Sequence, residues 1–163
     1  MDLRHLKWYL LILLITSSAS LTSGRNPVAE KGVLDLREYK SDREFIVRLD
    51  GEWEFYWGKM LHPYDFTLGK TPTPDLYGRV PSYWTNYQND SLSIQKMGFA
   101  TYRLVLLMPE GMSQRMAFDV PVFDSSYDLF VNGVYLGSNG VPGKTAGETV
   151  PQYKRNFFSI DPS

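Results

Sequence analysis

The sequence predicts an all-β protein, an antiparallel β-sandwich, on three observations. Apolar and polar side chains alternate in Glu52-Trp53-Glu54-Phe55-Tyr56-Trp57 and again from Thr101 to Leu104, the period of strands whose two faces meet different surroundings, and 104–107 continue as an apolar run expected to be buried on both faces. Asn132-Gly133 stands between two apolar runs, and this dipeptide favours the type I′ hairpin turn because both central residues need positive φ. Aromatic residues make up 15% of the chain, with 11 Tyr, 9 Phe and 4 Trp, which suits pleated sheets better than helical bundles led by Leu and Ala.

Arg4, His5 and Lys7 form a short basic stretch before the apolar run from Trp8 to Ile15, which small residues from Thr16 to Ser20 close. This is the layout of a secretory signal peptide over 1–20. The run is far shorter than the ~20 apolar residues that span a bilayer as a helix. Export followed by cleavage is therefore expected, with an uncleaved anchor as the alternative, because Leu21 and Thr22 lengthen the segment slightly. The chain has no Cys, which excludes a lipid-anchored N-terminus, disulfides and thiolate chemistry. A bacterial envelope location follows, periplasmic or on the extracellular face of the cytoplasmic membrane. Residues 21–31 are polar and hold Pro27, the composition of a linker, and one domain is expected over 32–163.

Within that domain, Val33-Leu34-Asp35-Leu36 reads as a first strand and Phe45-Ile46-Val47-Arg48-Leu49 as a second. Asp50-Gly51 then turns the chain into 52–57, giving a hairpin with a dry face (Trp53, Phe55, Trp57) and a wet one (Glu52, Glu54, Tyr56). Residues 58–89 hold four prolines and no sustained period, so a long loop is expected, with one helical turn from Pro63 to Phe66. Long loops of this kind frequently carry function. Regular structure resumes near Phe99 and runs to Pro109-Glu110-Gly111, a further strand covers 115–120, and 121–126 crosses over. The Asn132-Gly133 hairpin joins 127–131 to 134–137, a Gly-rich loop covers 138–147, and the last apolar segment is Phe157-Phe158-Ser159-Ile160. No fixed-period repeat is visible, which disfavours solenoids and propellers.

Lys and Arg number 17 against 18 Asp and Glu, interspersed along the chain. No basic stripe exists to neutralise phosphates, so nucleic acid is excluded as an expected partner. Glu52 and Glu54 lie roughly 6–7 Å apart at i and i+2 of a strand, within the range of glycosidase acid and base pairs. Such pairs normally face each other across a cleft, whereas these are expected side by side toward solvent. His62 and Asp65 begin a metal site without finishing it, since zinc needs three or four converging ligands. Asp124 and Asp128 offer calcium oxygens, with no recognisable loop spacing. Neither a metal nor a cofactor is therefore expected. Ser138-Asn139-Gly140-Val141-Pro142-Gly143-Lys144-Thr145 imitates a phosphate-binding loop, but its first glycine is missing and no helical period follows to aim amides at a phosphate.

Recognition remains, and its expected residues are aromatics and amides near strand ends. Tyr83, Trp84 and Tyr87 offer ring faces for a sugar, while Asn86, Gln152 and Arg155 offer hydrogen bonds, giving an apolar floor with few polar groups. The competing assignment for Trp84 is the core, with equal weight, and Trp53 is expected in the core. Arg103, inside a strand, is expected to snorkel or to pair with a neighbouring Glu rather than to bind ligand, and Asn132 to serve its turn.

The order Leu49-Asp50-Gly51-Glu52-Trp53, Val80-Pro81-Ser82-Tyr83-Trp84, Thr101-Tyr102-Arg103 and Leu129-Phe130-Val131-Asn132-Gly133 resembles the galactose-binding-like jelly roll at the N-terminus of family 2 glycoside hydrolases. With Gly32-Val33-Leu34-Asp35-Leu36-Arg37 and Val150-Pro151-Gln152-Tyr153 added, it is more similar to the periplasmic input domain of bacterial seven-transmembrane receptors. The resemblance covers 32–160. It implies a non-catalytic sensory domain for a carbohydrate or small molecule, with a membrane segment and a signalling output module downstream. The alternative it leaves is the sugar-binding domain of a truncated family 2 hydrolase, whose chemistry resides on a separate barrel. Jelly rolls of this kind continue past the equivalent of 157–160 with strands that close the sandwich, so it also implies an incomplete C-terminus. A free-standing adhesive domain is a third possibility.

Overall fold

The computed structural model describes residues 26–39, 46–67, 69, 71–112 and 115–160. The expected signal peptide, the first part of the expected linker and Phe45 lie outside them. Nine strands and two 3₁₀ turns make up the regular structure, and no α-helix occurs among the described residues. Pairing is antiparallel except between β1 (Val33–Asp35) and β5 (Val105–Leu107), which run parallel. The chain is therefore all-β, in four small sheets.

The central element is β2 (Gly51–Trp57), flanked on one side by β3 (Leu76–Val80) and on the other by β4 (Ala100–Arg103). Here the structure corrects the sequence in two ways. Residues 46–50 form no strand, so the 45–49/52–57 hairpin does not exist and β2 takes its partners from farther along the chain. Asp50-Gly51 is not a hairpin turn but a crossing point. The Ala29 N–H donates to Asp50 O, the Glu52 N–H donates to Ala29 O, both at 2.8 Å, and a Cβ on Gly51 would lie 2.3 Å from Ala29 O. Gly51 has φ +127°, a conformation that side chains disfavour. Ala29, at the end of the expected linker, is 1% exposed.

The second correction concerns the faces of β2. Phe55 and Tyr56 point to opposite sides, yet both are fully buried, so no wet face exists over this part of the strand. Phe55 meets its cross-strand partner Tyr102 at a ring separation of 4.9 Å and Tyr87 edge-on at 5.1 Å. Contacts of this kind add to the burial of an aromatic side chain. On the other face Tyr56 packs edge-on against Phe66, and its hydroxyl donates to Glu54 Oε2 at 2.8 Å. Glu54 also accepts two bonds from its cross-strand partner Arg103, at 2.8 and 2.9 Å, while the guanidinium lies over the Phe66 ring. The carboxylate is desolvated with a cation and a hydroxyl to compensate it, as burial of a charge requires.

A second cluster gathers around buried Ala29, Leu34 and Leu36, with Leu49, Trp53, Leu104 and Leu106 packed against it. Trp53 is thus at the core as expected, its indole N–H donating to Leu49 O at 2.9 Å. Lys31 and Gly32 (φ 46° and 79°) form a tight reversal in which Glu30 and Val33 exchange both backbone hydrogen bonds, the geometry of a type I′ turn. It leads directly into β1.

The remaining strands are β6 (Met116–Phe123) paired with β9 (Lys154–Ile160), and β7 (Tyr127–Val131) paired with β8 (Val134–Asn139). Asn132 and Gly133 take φ values of 49° and 83°, the type I′ turn read from the sequence. Asn139, fully buried, ties these pairs together. Its amide donates to Ser125 O at 2.8 Å and to Gln152 O, while its Oδ1 accepts from Asn156 at 3.4 Å.

Candidate functional site

The expected 58–89 loop is more structured than its composition indicates. It contains the 3₁₀ turn Pro63–Phe66, as read from sequence, then β3, then a second 3₁₀ turn at Trp84–Asn86. This second turn presents Tyr83, Trp84 and Asn86. It is closed by the Asn86 N–H donating to Tyr83 O and the Tyr87 N–H donating to Trp84 O, each at 3.0 Å, and the Asn86 amide donates to Ser82 Oγ at 3.2 Å.

Tyr87 holds this turn to the sheet. Its ring lies where a Cβ on Gly78 would be, 2.4 Å from the nearest ring carbon, and its hydroxyl donates to Arg79 O at 2.8 Å while accepting from Tyr102 at 3.3 Å. Burial raises the Tyr87 phenol above its ordinary pKa. Tyr87 is therefore an anchor, its hydroxyl and one ring edge engaged by the protein. Trp84 is half-buried, edge-on to Trp57 at 5.4 Å. Tyr83 stands clear, 77% exposed. Trp57 and Gly98 went unread as part of this region. The backbone at Gly98 passes directly over the Trp57 indole, where a Cβ would come within 2.3 Å. The alternation of 53–57 marked Trp57 as apolar-facing, but only the tertiary structure brings Trp84 to it.

Gln152 and Arg155 belong to a different part of the molecule. Gln152 gives its backbone carbonyl to Asn139 and its side-chain oxygen to the Gly140 N–H. Arg155 forms a two-nitrogen ion pair with Asp119 across β6 and β9 and lies 5.0 Å over the Phe157 ring. The guanidinium's hydrogen bonds hold the Asp119 carboxyl below the usual carboxylate range. The six expected ligand residues thus divide into 83–87 beside the three-stranded sheet, and Gln152 with Arg155 beside β9.

The other chemical candidates are engaged elsewhere. Glu52 and Glu54 do not stand side by side in solvent: Glu54 is taken by Arg103 and Tyr56, and Glu52 Oε2 accepts the Lys31 N–H at 3.2 Å. His62 stacks on Tyr64 and meets Phe130 edge-on, while Asp65 accepts the His62 backbone N–H at 2.7 Å. Among the described residues no three His, Asp or Glu side chains are grouped to hold a metal ion, and no helix is long and apolar enough to cross a membrane. In the phosphate-loop imitation the N–H groups of Lys144 and Thr145 both donate to Glu148 Oε2, at 2.9 and 3.2 Å. An internal carboxylate fills the place a phosphate would take.

No protein-family model, curated protein or solved structure matches the chain.

Proposed function

We propose that this chain is a non-catalytic recognition domain of the galactose-binding-like jelly-roll type, exported to the bacterial envelope and serving as the ligand-sensing part of a membrane receptor. Its ligand is a carbohydrate or another small molecule. One observation supports the binding reading above the rest: Tyr83 projects 77% exposed at the start of a 3₁₀ turn closed by two backbone hydrogen bonds and followed by the anchored Tyr87. An exposed ring on a rigid support stacks on a sugar with little loss of conformational freedom. Asn86 and Ser82 sit beside it, their mutual hydrogen bond exposed and available for exchange with ligand hydroxyls.

The test is a glycan and metabolite screen followed by titration of Tyr83→Ala and Trp84→Ala. Tyr83→Ala is expected to weaken binding about tenfold, the size of one aromatic contact, with an unchanged melting temperature. Trp84→Ala is expected to weaken binding and also to destabilise the fold by about 1 kcal/mol through the lost Trp57 contact. Failure of every compound to bind, or full affinity in Tyr83→Ala, would overturn the reading.

A further inference from the structure

Away from the 82–87 turn, residues 28–31 together with β2 and β3 border an open recess of about 410 Å3. Four charged residues line it: Glu30 and Glu52, Lys31 and Arg79. Neither the Lys31 ammonium nor the Arg79 guanidinium has an ion-pair partner among the described residues. Arg79 is the direct cross-strand partner of Glu52, yet the Glu52 carboxylate turns instead to the Lys31 N–H. Two cationic residues that border one recess therefore lack an ion-pair partner among the described residues.

Lys31 is also in an unfavourable conformation. It is one of two non-glycine residues with positive φ among the described residues, and the other, Asn132, occupies the equivalent position of the second type I′ turn. Asn, Asp and Gly are favoured there, and a long side chain carries a conformational penalty. Such penalties concentrate where function requires a particular residue. The turn is held firmly, because the Gly32 N–H donates to Glu52 O and the Val105 N–H donates to Gly32 O, at 2.9 and 2.8 Å.

We propose that this recess binds a free α-amino acid in its zwitterionic form. The four side chains have formal charges that cancel, so a net anion or cation would meet as much repulsion as attraction. A ligand bearing both charges a few ångströms apart gains from both pairs. Lys31 and Arg79 receive its carboxylate, Glu30 and Glu52 its ammonium, and Val28, 55% exposed at the rim, favours an apolar side chain. This assignment is independent of the carbohydrate reading of Tyr83 and Trp84.

The experiment titrates the ¹⁵N-labelled full chain with L-leucine, L-leucinamide and 4-methylpentanoate, the last two each lacking one charge. Leucine is expected to shift the amides of 28–31, 51, 52 and 79 saturably below about 10 mM, and each analogue to bind at least about tenfold more weakly, as loss of a charge-assisted contact dictates. Arg79→Gln is expected to weaken leucine binding about tenfold with an unchanged melting temperature. Lys31→Asn is expected to raise the melting temperature by relieving the backbone, and to weaken leucine about tenfold as well. No saturable shift, equal binding of all three compounds, or a stabilised Lys31→Asn protein with full leucine affinity would each overturn the proposal.

Discussion

Asn139→Leu is expected to lower the stability of the folded chain by about 1–3 kcal/mol, because a fully buried amide is withdrawn from three part-buried carbonyls. The two side chains have the same number and branching of heavy atoms, but the leucine methyls are bulkier than the amide oxygen and nitrogen, so overpacking adds to the lost hydrogen bonds. The Gln152 carbonyl loses its bond from the Asn139 amide, Ser125 O keeps only a 3.4 Å bond from the Gln152 N–H, and the Asn156 amide retains Tyr127 at 3.0 Å but loses Asn139 Oδ1. Because these groups come from the 123–126 crossing, the 150–152 segment and β9, one substitution releases three segments together. Asn139→Asp is expected to be at least as damaging, since a carboxylate accepts but cannot donate to those carbonyls and its charge is buried. Denaturant midpoints measure both. A midpoint for Asn139→Leu equal to that of the unaltered protein would show that the amide does not hold these strands.

Alkaline pH is expected to unfold the chain steeply. Burial raises the Tyr56 and Tyr102 phenols well above their ordinary pKa, reinforced at Tyr56 by its bond to the Glu54 carboxylate and at Tyr102 by its bond to Tyr87. The unfolded chain loses both protons near pH 10, whereas the folded chain keeps them. The stabilisation is therefore fully present below about pH 10 and is lost as pH rises toward the folded-state values, at about 1.4 kcal/mol per pH unit for each phenol. Both together remove stability on the order of a few kcal/mol in strongly alkaline medium, a sizeable part of the net stability of a small domain. Denaturant midpoints between pH 8 and 12 should fall as pH rises, and Tyr102→Phe should make the fall shallower. Constant stability up to pH 11.5 would contradict the protonated, buried arrangement of the two rings.

What the sequence made legible was chiefly local. The Asn132-Gly133 turn and the Pro63–Phe66 turn could be read because the backbone preference resides in the residues themselves. β3 could not. It lies in a proline-rich stretch and carries Gly78 at its centre, which lowers strand preference. The glycine is there because the Tyr87 ring needs its space, a fact no local window contains. The same reason hid the role of Gly51, where a turn-like Asp-Gly makes room for Ala29 instead. Trp84, weighed equally between a ligand-stacking ring and the core, is half-buried against Trp57, whereas Tyr87, which offers a ring in sequence, is held chiefly by its hydroxyl. Of the two outcomes open to Arg103, snorkelling or pairing with a Glu, the structure shows the pair with Glu54. The Lys31-Gly32 reversal escaped notice because lysine is not a residue that advertises this turn.

Glu148 gives the 143–149 loop a property of its own. The carboxylate bonded to the Lys144 and Thr145 amides is tethered only a few residues away, so it competes at an effective concentration in the millimolar range or above. Dissolved oxyanions must displace a rival that never diffuses off. The loop thus satisfies two of its own amides from within, so its shape does not depend on an oxyanion from the medium.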